Sequence, residues 1–100
     1  MKSKLSTSHD EWMTQQLRVK PDFAREYLNV ALEEDDSEVL LIALRRLAIA
    51  SGGMTKIAKS VGIERESLYR ALSKKGNPRL STLTAVMKAV GLKITVESVR

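Results

Sequence analysis

The sequence predicts an all-α domain of five to six short helices with a single C-terminal β-strand. Three observations predict it. Apolar residues recur at helical period through most of residues 8–90. The gaps between these stretches carry capping residues, Pro or Gly. Leu92–Val99 alternates apolar and polar residues with β-branched types, which is the period of a strand.

Composition sets the limits. The chain has 100 residues, 17 basic and 12 acidic side chains, a formal net charge of +5, no cysteine and four aromatic residues. That length suits one core, burying about two thirds of the unfolded surface without disulfides or metal. The absence of cysteine excludes thiolate chemistry and cysteine-ligated zinc, and suits a reducing cytoplasm. His9 is the lone histidine, which argues against histidine-dependent catalysis and histidine-rich metal sites. No apolar run approaches the ~20 residues of a membrane span, and Met1–Ser8 lacks the apolar centre of a secretion signal. No cofactor or metal is expected. The charge is uneven. Residues 1–38 hold five basic and nine acidic side chains, a balance of −4, and residues 39–100 hold 12 and 3, a balance of +9. Such a split suggests two faces with different partners, one of them polyanionic.

The elements follow in order. Residues 1–7 are polar and aperiodic, a frayed start to a single domain over 8–100. Ser8 and Glu11 read as a capping box for a first helix to about Arg18, with Trp12, Met13 and Leu17 on one face and Trp12 as its anchor on the core. Pro21 suits the first turn of a second helix. Phe23, Ala24, Tyr27, Leu28, Ala31 and Leu32 form its apolar stripe. The acidic run Glu33–Asp36 ends it, and Asp35 with Glu38 makes a second capping box. A third helix over about 36–51 is apolar nearly all round in its first two turns, so it is expected at the centre. Ser51-Gly52-Gly53 stops it and closes the N-terminal helices of 8–53. Short helices are expected at about 54–60, 64–74 and 81–90, with Gly62, Gly76 and Gly91 at their ends. The strand at 92–99 cannot satisfy its own backbone; Leu92, Ile94 and Val96 would pair across a dimer or dock on another protein.

The segment 54–73 carries the most information. Ala58 is small where two helices would cross, Gly62 follows four residues later in the turn, and Ile57, Val61, Ile63, Leu68, Ala71 and Leu72 are apolar. This is the helix-turn-helix pattern, which lays its second helix in the DNA major groove. An ordinary αα-hairpin shares the apolar spacing. The outward residues favour the DNA reading, because they form a polar, basic face around the second helix. Arg65 or Arg70 can bind guanine with two hydrogen bonds. Glu66 can accept from cytosine N4 or orient an arginine, and Tyr69 can touch a thymine methyl or a phosphate. Lys56, Lys59, Ser73, Lys74, Lys75, Asn77 and Arg79 are candidates for phosphate contacts, which position without reading sequence. Any one of these lysines can equally be a solvated surface charge.

At this point the sequence resembles a family: the small antitoxins called probable addiction module antidote proteins, related to HigA-like antitoxins. The resemblance runs from about residue 8 to 97. It rests on Pro21–Glu34, Ala43–Ala48, Glu66–Ser73, Gly76-Asn77-Pro78 and Leu92–Val96, in the expected order. It implies a lambda-repressor-like fold, a homodimer on a palindromic operator, repression of its own operon and neutralisation of a RelE-like mRNA-cleaving toxin. The setting it implies is the bacterial cytoplasm, with the nucleoid when DNA is bound. The family commonly caps its second motif helix with a small hydroxyl residue; here that position is Glu64, which suits the helix dipole but is a poor cap.

Two binding functions follow. One is a sequence-specific repressor using the basic face. The other is a module that captures a cationic toxin through Asp22, Glu26, Glu33, Glu34, Asp35 and Asp36, opposite charge speeding encounter; these acids can also simply cap helices and stay solvated. A stand-alone phage-type or metabolic repressor is the alternative. An enzyme is not expected, because there is no phosphate-cradling loop, metal cluster or nucleophile–base pair.

Overall fold

The computed structural model describes residues 11–13, 15 and 21–99. The expected fraying of 1–7 and the Ser8 half of the first capping box lie outside them. Residues 11–13 and 15 are helical. Five helices follow: α1 Pro21–Glu33, α2 Ser37–Ala50, α3 Met54–Val61, α4 Arg65–Ala71 and α5 Leu80–Ala89. None of the described helices is long and apolar enough to cross a membrane.

Each helix begins and ends for local reasons. Pro21 opens α1, where its missing N–H has no intrahelical partner to lose. Ala24, Leu28 and Ala31 turn inward, with Phe23 and Tyr27 half-buried beside them. Leu32, expected in the same stripe, is 52% exposed, because it sits at the edge of the buried face. The cap of α2 differs from expectation by one residue. Asp35 has φ 58°, a left-handed conformation that turns the chain out of α1 and is incompatible with the extended N-cap backbone. Asp36 has that backbone (φ −136°, ψ 112°), and its carboxylate accepts the Glu38 N–H at 2.9 Å. The Asp35–Glu38 box is therefore replaced by a cap from Asp36.

Helix α2 is central, packing on α1, α3 and α5. It buries Leu41, Ala43, Leu44, Leu47, Ala48 and Ala50. One core results, and its fully buried large side chains are Leu44, Ile57, Leu68, Leu72 and Val86, drawn from α2, α3, α4, the turn after α4 and α5. It contains no buried polar or charged residue among those described. Trp12, expected to anchor the first helix on this core, is 54% exposed.

Two further expectations change. Helix α4 stops at Ala71 rather than near 74, because the chain turns at 72–75 and Gly76 comes back against it. A Cβ on Gly76 would collide with the carbonyl oxygen of Ala71. The strand at 92–99 is not formed among the described residues. A strand exists only through ladder bonds to a neighbour, and no backbone hydrogen bond joins residues 93–99 to another described residue. The result is an all-helical arrangement compatible with a helix-turn-helix domain.

The two aspartates before α2 should be separable by denaturant titration. Asp36→Ala should lower unfolding stability by about 1 kcal/mol through loss of the cap, with an unchanged slope. Asp35→Gly should leave it unchanged or slightly raised, since glycine adopts the left-handed turn freely.

Candidate nucleic-acid interface

Helices α3 and α4 and the turn between them make one packed unit. Gly62 ends α3 in the left-handed region (φ 87°, ψ 29°), and its N–H donates to the Ala58 carbonyl at 2.8 Å. The Ile63 N–H donates to the same carbonyl at 3.1 Å. A side chain at that φ would be strained, so glycine there sets the turn. Ile57 and Ala58 from α3 meet Leu68 and Leu72 from the second half of the unit, all of them buried. Glu64 stands at the N-cap of α4 and makes no side-chain cap bond, as its length leads one to expect.

With its apolar side turned in, α4 presents Arg65, Glu66 and Arg70 to solvent, and Tyr69 is half-buried. Two arginines lie over the Tyr69 ring. Arg65 Cζ is 5.1 Å from the ring centroid and Arg45 Cζ is 5.3 Å. A guanidinium is attracted to the electron-rich face of the ring, by roughly 0.5–1 kcal/mol at exposed sites. Tyr69 therefore holds two cations in place. Arg45, on α2, was missed by sequence reasoning. The signal for it was the pair Arg45-Arg46 in an otherwise apolar helix. Arg46 goes the other way, its guanidinium donating to the Tyr27 hydroxyl at 3.2 Å.

The loop after α4 is tied back to that helix. Ser73 Oγ donates to the Arg70 carbonyl at 2.8 Å, the Gly76 N–H donates to the Ser73 carbonyl at 2.9 Å, and Arg70 itself donates to Ser67 Oγ at 3.4 Å. This keeps exposed Lys74, Lys75 and Asn77 beside the C-terminal end of α4. Arg79 is exposed at the start of α5, and Lys56 and Lys59 are exposed on α3. The fold thus gathers the expected basic residues around the α3–α4 unit and adds Arg45. Ser73 spends its hydroxyl proton on the backbone.

The acidic candidates lie apart from this face. Asp22, Glu26 and Glu33 are on α1, and Glu34, Asp35 and Asp36 are in the turn to α2; all are exposed. Asp22 stands 3.9 Å from Arg25, the one ion pair among the described residues, and Asp36 is engaged as a cap. Of the strand candidates, Leu92 packs on the core while Ile94 and Val96 are exposed. No cluster of carboxylates or histidines suited to a metal occurs among the described residues.

Residues 9–98 match the family described as "Probable addiction module antidote protein". An uncharacterized protein of Haemophilus influenzae is 47% identical over 74 residues, covering 74% of this chain and 75% of that protein. No solved structure matches significantly.

The aromatic clamp has a spectroscopic signature. Side-chain proton resonances of Arg45 and Arg65 should be shifted upfield by the Tyr69 ring current. Tyr69→Phe should keep both shifts and Tyr69→Leu should abolish both; retention of the shifts in the leucine variant would remove the clamp.

Proposed function

We propose, since this chain belongs to the probable addiction module antidote protein family, that it is the antitoxin of a type II toxin–antitoxin module. Membership implies a toxin partner of some kind and points to a regulatory rather than an enzymatic protein. In the proposed function the chain is a homodimeric repressor of its own operon in the bacterial cytoplasm. It binds a palindromic operator and neutralises a RelE-like, mRNA-cleaving toxin.

The observation that carries the DNA part is the cationic, hydrogen-bonding surface on the α3–α4 unit, backed by an apolar core. Helix α4 acts as the reading helix of a helix-turn-helix. Arg65 and Arg70 reach base edges, guanine O6 and N7 being the favoured target. Glu66 accepts from cytosine N4 or steadies Arg70. Tyr69, occupied by two arginines, reads less and orders more. Lys56, Lys59, Lys74, Lys75, Asn77 and Arg79 hold phosphates and fix the register of the protein on the duplex. Each phosphate neutralised releases counterions, so affinity falls as salt rises.

The toxin part is supported by the charge of the opposite region. Asp22, Glu26 and Glu33–Asp36 are exposed and little paired internally, so their field is available to a cationic partner. A stand-alone repressor would need the basic face alone and leaves the acidic one without a use.

Two substitutions distinguish reading from positioning. Arg70→Ala should cost about 1–3 kcal/mol on the operator and little on unrelated DNA. Lys75→Ala should weaken binding to both similarly and lower the salt slope by about one. Equal binding by both variants and the parent would refute the assignment. On the protein side, tagged chain should recover a small basic protein encoded beside it, and combined charge reversal at Glu33, Glu34 and Asp35 should reduce that capture at low salt.

A further inference from the structure

We propose that residues 93–97 pair with the same residues of a second copy of this chain, as antiparallel strands in a register centred on Thr95. This extends the homodimer of the proposed function by naming the contact.

The segment has the alternation of a strand and nothing to pair with. Its last backbone anchor is the Leu92 N–H, which donates to the Met87 carbonyl at 2.8 Å. From Lys93 to Val99 no backbone hydrogen bond joins it to another described residue. Every residue of that stretch is exposed, Val96 to 94%. An unpaired row of N–H and C=O groups with β-branched side chains is a template for another strand. Its root is fixed, because Leu92 packs on the core. Leu92 and Ile94 line a cleft of about 100 Å³ together with Leu28 and Leu32 of α1. Leu32 and Ile94 are each about half exposed, an apolar shelf that a second strand would extend and cover.

The charges choose the occupant and the register. Two copies related by a two-fold axis place one residue opposite itself. With Thr95 on the axis, Lys93 of each copy faces Glu97 of the other, and Ile94 faces Val96. One face then carries two ion pairs around a Thr–Thr pair, and the other carries apolar pairs; all are favourable cross-strand combinations. A shift by one residue sets Thr95 against Ile94 or Val96, and Lys93 against Val96 or Glu97 against Ile94, so that apolar side chains face polar ones at the centre of the pair. Centring on Ile94 or Val96 keeps the faces but puts Lys93 opposite Thr95 or Val99 and loses both ion pairs. The segment carries one positive and one negative side chain symmetric about Thr95, so its charge pattern complements itself. A strand made for a strongly cationic partner would be acidic.

Sedimentation equilibrium of the full chain at low ionic strength tests this, with circular dichroism to verify folding. Lys93→Glu and Glu97→Lys alter only exposed side chains, and each turns two attractive pairs into two repulsive ones. Each should weaken the dimer on the order of tenfold to a hundredfold. An equal mixture of the two variants should recover a dimer of parental strength, because each cross-strand pair again joins Glu to Lys. A parental dimer that neither reversal weakens, or a mixture as weak as its components, overturns the strand pairing while leaving the homodimer standing. A monomeric parent overturns both and leaves the strand edge to another protein.

Discussion

Helices shorter than about 12–15 residues are marginal in water, because the cost of nucleation is spread over too few bonds. Helices α3, α4 and α5 have 8, 7 and 10 residues. Their existence depends on burial in the core they share with α2: α3 and α5 pack on α2 directly and α4 packs on α3, while Ala43, Leu44, Leu47 and Ala48 of α2 are all buried. Ile57, Leu68, Leu72 and Val86 complete the cluster from the three short elements and the turn after α4. The dependence runs outward from there. The orientation of α4, and so the direction in which Arg65 and Arg70 point, is set by Leu68 and Leu72 being fixed inside.

This core separates the charges. Acidic side chains gather on α1 and the turn after it, basic ones around α3, α4 and the loop to α5. A single loose ion pair, Asp22 with Arg25, is found among the described residues and lies within the acidic region. The basic and acidic surfaces thus keep separate fields instead of cancelling each other. Within the basic face, order comes from short-range devices. Tyr69 holds Arg45 and Arg65 over its ring, and Ser73 and Gly76 bind the loop to the end of α4. Long cationic side chains lose much entropy on binding; holding them in advance reduces that loss.

The helical plan was legible because it rests on periodicity and punctuation. Pro21, the stripe from Phe23 to Ala31, the apolar α2 and Gly62 each name their element directly. What was not legible depends on three-dimensional neighbours. Asp35 and Asp36 are equivalent as letters, and only the left-handed turn at Asp35 makes Asp36 the cap. The early end of α4 follows from Gly76 returning against Ala71, a contact five residues apart that no local pattern encodes. Arg45 belongs to the basic face because α2 passes near α4, which spacing within either helix cannot express. Trp12 reads as a core residue by type and lies half outside. The terminal segment has the composition of a strand, but a strand is a relation between two segments, and the described residues of one chain supply only one.

The proposed function depends on α4 reading DNA from a position held by the apolar core. The most direct test is fluorescence titration of the parent chain with the duplex upstream of its own coding sequence, against a scrambled duplex of equal length, at several salt concentrations. A DNA-reading α4 should give at least about a thousandfold preference for the upstream duplex at physiological salt, of the order that separates specific from non-specific DNA binding, and an affinity for both that falls as salt rises. Equal affinity for the two duplexes, or binding indifferent to salt, would contradict it.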